Sequence, residues 1–465
     1  MQNNKTNLPD EMLTMVPWKI IVRFSLPLLA GNLFQQMYSM ADAVIIGRLV
    51  GVKELAGVGA TSAMNFLVLG FAMGAAGGFS ILTAQQFGAG NEEGVKKSVA
   101  MSMMLCAGLS VMLSLLGALT AEPLLRIMNT PEDIFPYARI YILVIYLGIG
   151  ATVYYNMISG VLRALGDSRT SLYFLILSSV MNIILDLLAI LVLNMGIMGA
   201  ALATVISQLV SAVCCHIYAL RRYPLIRLKR RHFRFIWSEA VHHIKIGIPM
   251  AIQFSVTAVG IMILQAYLNV FGSSVVAGYT AAGKVEALVT QPFSTLEITM
   301  ETYCGQNYGA GNKERVKRGI KSGLIICLIT VAIASAVCIL FGRSFISLFL
   351  KEYDPDIVNF GQRYLLIVAV FFWLLGILHV IRSSLQGIGE ALVPMMGGVV
   401  ELAARWAGCA AMAGVLGYTG IYLSTPLAWG SAVLLLLARY AVIFRKEERG
   451  KPWQRDWIEE SPTKI

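Results

Sequence analysis

The sequence predicts an all-α polytopic membrane protein with twelve transmembrane helices in two six-helix lobes. Three observations lead there. Of the 465 residues, 57% are hydrophobic and only 14% charged, whereas soluble domains carry about a quarter charged residues. Apolar runs of bilayer-spanning length recur along the chain. The second half also repeats the first.

The runs fall near 20–47, 54–80, 98–120, 138–162, 170–193 and 196–220, and after a basic segment near 245–270, 275–303, 322–342, 363–388, 392–416 and 419–444. These are spans 1 to 12. They divide the chain into a first lobe at 1–220, a basic linker at 221–244, a second lobe at 245–444 and a tail at 445–465. No cleavable signal sequence is expected, because the N-terminus is polar up to Trp18, where the first long apolar run begins.

The net charge of +11 could suggest a nucleic-acid partner, but the basic residues are segregated by topology. Of 37 Lys and Arg, 27 lie in the termini and in the loops on one side, above all in "RRYPLIRLKRRHFRF" (Arg221–Phe235). Positive loops stay inside, so both termini and the linker are expected to be cytoplasmic and no nucleic-acid partner is called for. The seven cysteines sit in apolar segments and read as small buried hydrophobes rather than a disulfide framework. Cys214, Cys215 and His216 are consecutive, so they point about 100° apart on a helix and make a poor chelate.

The repeat is read from aligned pairs. "QQFGAGNEEGVKKSV" (Gln85–Val99) matches "QNYGAGNKERVKRGI" (Gln306–Ile320), and "LRALGD" (Leu162–Asp167) answers "LQGIGE" (Leu385–Glu390). Pro27 in span 1 corresponds to Pro249 in span 7. Six spans is an even number, so the two lobes share one orientation and should be related by a pseudo-twofold axis along the membrane normal. Duplicated lobes of this kind are a transporter architecture.

Within span 1, Asp42 stands in the greasy stretch "YSMADAVIIGRLVG" (Tyr38–Gly51). A carboxylate in hydrocarbon is costly unless it is paired, protonated or wet. Asp186 on span 5 is a second deep carboxylate, with Asn182 one turn before it on the same face. At about 1.5 Å of rise per residue, Asp42 lies roughly 9 Å inside the outer end of span 1, and Asp186 and Thr204 roughly 12 Å inside theirs. Three spans therefore bring oxygen ligands to one level. Two carboxylates this close need a cation or a shared proton between them, and hard oxygen donors suit an alkali cation or a proton.

These segments resemble the multidrug and toxic compound extrusion (MATE) transporters. "PLLAGNLFQQMYSMADAVIIGRLVGVKELAGVG" (Pro27–Gly59), the paired "GAGN" loops, "SGVLRALGD" (Ser159–Asp167) and Asn182-x3-Asp186 followed by "GAALAT" (Gly199–Thr204) carry the resemblance across nearly the whole chain. It implies a V-shaped antiporter with a central cavity, monomeric, in a bacterial inner membrane, exporting cationic or amphipathic compounds against Na⁺ or H⁺ with no cofactor besides that ion. It further implies a cation site at Asp42, Asn182, Asp186 and Thr204, with Na⁺ possible there, and a bend in span 1 at Pro27. Some members have a second site with acids on spans 7 and 10. Here span 7 offers Gln253, Ser255 and Thr257, and span 10 offers His379 but no acid.

Span 8 carries Glu286, Glu297 and Glu301, which on one continuous helix fall within roughly 60° of each other. Such an acidic stripe suits the wall of a cavity for cations, with Lys284 available to neutralise one member and Tyr38, Tyr155 and Tyr279 as aromatic lining. Glu401 and Arg405, four residues apart on span 11, read as a mutually neutralising pair. A flippase for lipid-linked saccharides is the alternative within the superfamily, but its cavity should present Arg or Lys to a pyrophosphate. No nucleophile-plus-base or metal-ligand spacing marks a membrane enzyme.

Overall fold

The computed structural model describes residues 11–350 and 353–446. Among them the secondary structure is helical throughout, and twelve spans follow in order. Span 1 is Pro17–Ile45 with a π-helical extension, Ile46–Val50. Span 2 is Val52–Gly88, span 3 Glu92–Ile127, and span 4 Phe135–Leu147 plus Ile149–Ala164. Span 5 is Arg169–Leu187 with a second π extension, Leu188–Val192, and span 6 is Gly196–Arg222. After the linker come span 7 (Trp237–Asn269), span 8 (Ser273–Val289 plus Gln291–Gly309) and span 9 (Lys313–Leu348). Span 10 (Pro355–Gly387), span 11 (Leu392–Leu416) and span 12 (Tyr418–Lys446) complete the second lobe.

Nine of these helices, and span 4 as a tenth despite its 46° bend, are long and apolar enough to cross a membrane on their own. Spans 1 and 8 fall short of that mark. They are also the spans that carry Asp42 and the three glutamates. Their polar groups have to face protein or water. Other spans turn large apolar side chains outward, among them Leu119, Leu340 and Leu434, as a lipid-facing surface requires.

The duplicated "GAGN" segment has a physical explanation. Gly90 and Gly311 end spans 2 and 8 with φ of 69° and 70°, the left-handed conformation that favours glycine. Asn91 and Asn312 then cap spans 3 and 9 through their side chains, accepting from Gly94 N at 2.9 Å and Arg315 N at 3.1 Å. The glycine two residues before each turn does a different job. Gly88 lies against the backbone of Gln306 and Gly309 against that of Gln85, leaving no room for a Cβ at either. The ends of spans 2 and 8 therefore cross at backbone contact.

That crossing joins the lobes. The Gln85 side chain donates to the Gly387 carbonyl at 2.7 Å, and Gln306 donates to the Ala164 carbonyl at 2.8 Å. The two bonds are pseudo-twofold copies, since Gln85 matches Gln306 and Ala164 matches Gly387 in the repeat. Further along, Gly74 and Gly78 of span 2 pack on Ala251 and Gly247 of span 7. The crossing of spans 2 and 8 lies on the side that carries the linker. The linker itself is anchored: Leu225, Ile226 and His232 are buried, and Arg231 pairs with Glu93 at 3.0 Å.

Candidate ion-coupling site

Spans 1, 5 and 6 bring Asp42, Asn182, Asp186 and Thr204 together toward the far side of the first lobe. The Asp42 and Asp186 carboxyls lie within interaction range of each other, and two carboxylates so placed disfavour double ionisation unless a cation or a proton sits between them. Asp186 and Asn182 are fully buried. In one amide orientation Asn182 donates to Thr204 Oγ1 at 3.3 Å. In the reverse orientation it donates to Asp186 Oδ2 at 3.1 Å and accepts from the Thr204 backbone N–H at 3.2 Å. The second orientation satisfies both amide atoms and is the chemically complete one. Asp42 Oδ1 and Asp186 Oδ1 are buried without a hydrogen-bond partner. An orphaned pair of carboxylate oxygens fits a proton or a hard cation.

Two features of this site have no sequence signal. Spans 1 and 5 both pass into a π-helical turn just beyond their aspartate, closed by Gly51 N–H to Ile46 O at 3.0 Å and Leu193 N–H to Leu188 O at 3.1 Å. Such wide turns are rare and frequent at functional sites. Tyr38 and Tyr141 lie close enough to both carboxylates to feel their charge. Tyr38 was expected to line a cavity; Tyr141, from span 4, was not foreseen.

Pro27 sits inside the continuous helix of span 1. It is bracketed by two contacts to the second part of span 8, Ser25 Oγ to Thr299 Oγ1 at 2.9 Å and Asn32 Nδ2 to Thr295 Oγ1 at 3.2 Å. A bend at Pro27 would therefore work against the other lobe.

The acidic stripe on span 8 is not one surface. Span 8 breaks at Thr290, because Pro292 in the next turn has no N–H to continue the ladder. Glu286 accepts from Tyr364 at 2.7 Å, whereas Glu297 meets His379 Nδ1 at 2.6 Å. Glu301 is close to Arg163 of span 4. Lys284 neutralises none of them: it is exposed, with its ammonium 5.4 Å from the centre of the Phe349 ring. Two aromatic residues expected on a cavity wall are packed within their lobes. Tyr155 is buried and donates to the Ser171 carbonyl at 3.2 Å. Tyr279 packs edge-on to Tyr364, 5.0 Å between ring centres, and stacks on Tyr422.

Glu401 does pair with Arg405, at 3.0 Å, but a second buried arginine, Arg382 of span 10, also reaches it at 3.1 Å. On span 7, Gln253 accepts from Gln386 at 2.9 Å. A groove of about 710 Å³ lies on the linker side, between the start of span 1, the span 4–5 turn and the end of span 6, and does not reach the aspartates.

Comparison with known proteins gives the family. The MatE family model matches residues 27–188 and 249–404, one segment in each lobe. The chain is 30% identical over 429 residues to the probable multidrug resistance protein YpnP of Bacillus subtilis, covering 91% of this chain and 95% of that one. It is 28% identical to the probable multidrug resistance protein NorM of Thermotoga maritima, covering 84% of each. A structure described as the outward-facing conformation of a multidrug resistance MATE family transporter superposes with a TM-score of 0.89 at 24% identity, over 96% of this chain and all of that one. The relatives are membrane transporters rather than enzymes, and this chain, a multi-span efflux transporter by the same evidence, belongs to the MATE family.

Proposed function

We propose that the protein is a cation-coupled antiporter that exports cationic or amphipathic small molecules, with Na⁺ or H⁺ bound between Asp42 and Asp186 as the driving ion. The observation that carries this reading is the pair of buried, unpartnered carboxyl oxygens of Asp42 and Asp186, with Asn182 and Thr204 beside Asp186. Ion entry and release change the charge held between spans 1 and 5. Span 1 then repacks, and Pro27 lets one part of it move against span 8 without unwinding the rest. A bound ion shifts such an equilibrium by its differential affinity for the two arrangements. The positive-inside reading, which puts the basic linker in the cytoplasm, makes the linker side, where spans 2 and 8 cross, the inner side.

The flippase reading has less support. The buried arginines Arg382 and Arg405 are both engaged by Glu401, and Arg163 lies beside Glu301, so acids already occupy the cations that a pyrophosphate would need. Efflux of ethidium from proteoliposomes, driven in turn by a Na⁺ and a H⁺ gradient, tests the proposal. Transport is expected with one of the two gradients; ethidium retention under both would contradict it.

A further inference from the structure

The second lobe holds a charged cluster that the first lobe lacks. Glu297 of span 8 and His379 of span 10 meet at 2.6 Å. One turn beyond His379, Arg382 binds Glu401, which also binds Arg405. Arg405 in turn acts on Glu286, which accepts from the Tyr364 hydroxyl. Glu286, Glu297 and Glu401 supply three negative charges against two from Arg382 and Arg405, leaving one unbalanced. Glu301, one turn past Glu297, is matched separately by Arg163 from the first lobe. An excess charge inside a low-dielectric bundle is costly. A single proton on the carboxylate–imidazole pair removes it.

Exposure shows which part of the cluster can exchange that proton. The Arg382, Glu401 and Arg405 side chains are 7–9% exposed, whereas those of His379 and Glu297 are 18% and 17% exposed. The arginines cannot release protons in any accessible range. His379 and Glu297 are more open to water than the Arg382–Glu401–Arg405 chain they adjoin. Thr295 and Thr299 of span 8 face span 1. Glu297 lies two residues from each, roughly 200° round the helix from Thr295, so it faces away from the Pro27 contact and toward span 10.

We propose that Glu297 and His379 hold an exchangeable proton between spans 8 and 10, giving the second lobe a proton-binding site of its own. The arrangement differs from acids on spans 7 and 10, since Gln253 and Gln386 occupy that neighbourhood and bond to each other. The proton moves between the carboxylate oxygen and the Nδ1 atom of the imidazole. When it leaves, Glu297 stays ionised, His379 is neutral, and the cluster regains one negative charge. The site stands whichever ion drives the first lobe.

The test is an NMR titration of the full-length protein in lipid nanodiscs with ¹⁵N-labelled histidine, from about pH 5 to 9, the range in which imidazole changes charge. The His379 signal is assigned by its loss in His379→Gln. It should pass between charged and neutral forms within the range. Glu297→Gln should move its midpoint by about one pH unit or more, a tenfold change in proton affinity, while Glu297→Asp and Asp42→Asn leave it near the wild-type value. A His379 ring that keeps one charge state throughout, or that titrates identically in Glu297→Gln, overturns the proposal. If Glu297→Gln does not fold, the wild-type titration decides alone.

Discussion

The two lobes share a scaffold and differ in chemistry. The elements that build helices and join lobes are kept in both: the Gly90 and Gly311 turns, the Asn91 and Asn312 caps, the reciprocal Gln85 and Gln306 bonds, and prolines 27 and 249. The ionisable groups are not kept. At the repeat position of Asp42 the second lobe has Leu264, which is buried in its core, and span 11 has no carboxylate at the repeat position of Asp186. The π turns beyond the two aspartates also have no counterpart on spans 7 and 11 among the described residues. The second lobe instead places its charges on spans 8, 10 and 11, and ties most of them to each other. Duplication thus preserved what both lobes need in order to fold and meet, and left each free to hold its own charges.

The largest effect that would sharpen this contrast is on stability. Glu401→Gln removes the carboxylate that both buried arginines contact, and removing one partner of a buried ion pair costs about 3–5 kcal/mol. Thermal unfolding in detergent should drop sharply for this variant. Asp186→Asn, which removes a charge rather than stranding one, should melt close to wild type. Equal melting of the two variants would erase the difference between a structural cluster and an ion site.

Next comes the crossing of spans 2 and 8. Gly88→Ala and Gly309→Ala each push a methyl group into the facing backbone, so both should shift the protein away from the closed linker side. Spin labels on the ends of spans 2 and 8 should report equal separations in the two variants. A response from only one of them would break the pseudo-symmetry of the joint.

Pro27→Ala should retain ion binding and slow turnover by about tenfold, the effect of roughly 1.4 kcal/mol on a barrier. Pro249→Ala, at the repeat position, should do less, because span 7 packs tightly on span 2 through Gly247 and Ala251. The smallest expected effect is on the paired caps. Asn91→Ala and Asn312→Ala should each cost about 1 kcal/mol of stability, and the same amount in both lobes.

Much of this was legible in the sequence, for local reasons. Apolar run length gave twelve spans, and the offset repeats gave two lobes. Rise per residue placed Asp42, Asn182, Asp186 and Thr204 at one depth, and the fold brings them together. What was missed depends on non-local register. His379 meets Glu297 only because spans 8 and 10 pack at a particular height, and Arg382 joins Glu401 from a different span. The 60° stripe on span 8 assumed an unbroken helix, although Pro292 was there to argue against it. Tyr155 and Tyr279 are amphipathic rings whose direction span assignment cannot supply. The π turns, too, match none of these residue patterns.

The coupling ion is proposed to sit between the two aspartates of the first lobe. The most direct test is gradient-driven efflux of ethidium from proteoliposomes by Asp42→Asn and by Asp186→Asn, both checked for folding by thermal melting. Each single variant should lose driven efflux, falling to the level of protein-free liposomes, because either change removes half of one site. Driven efflux at the wild-type rate in both variants would contradict it.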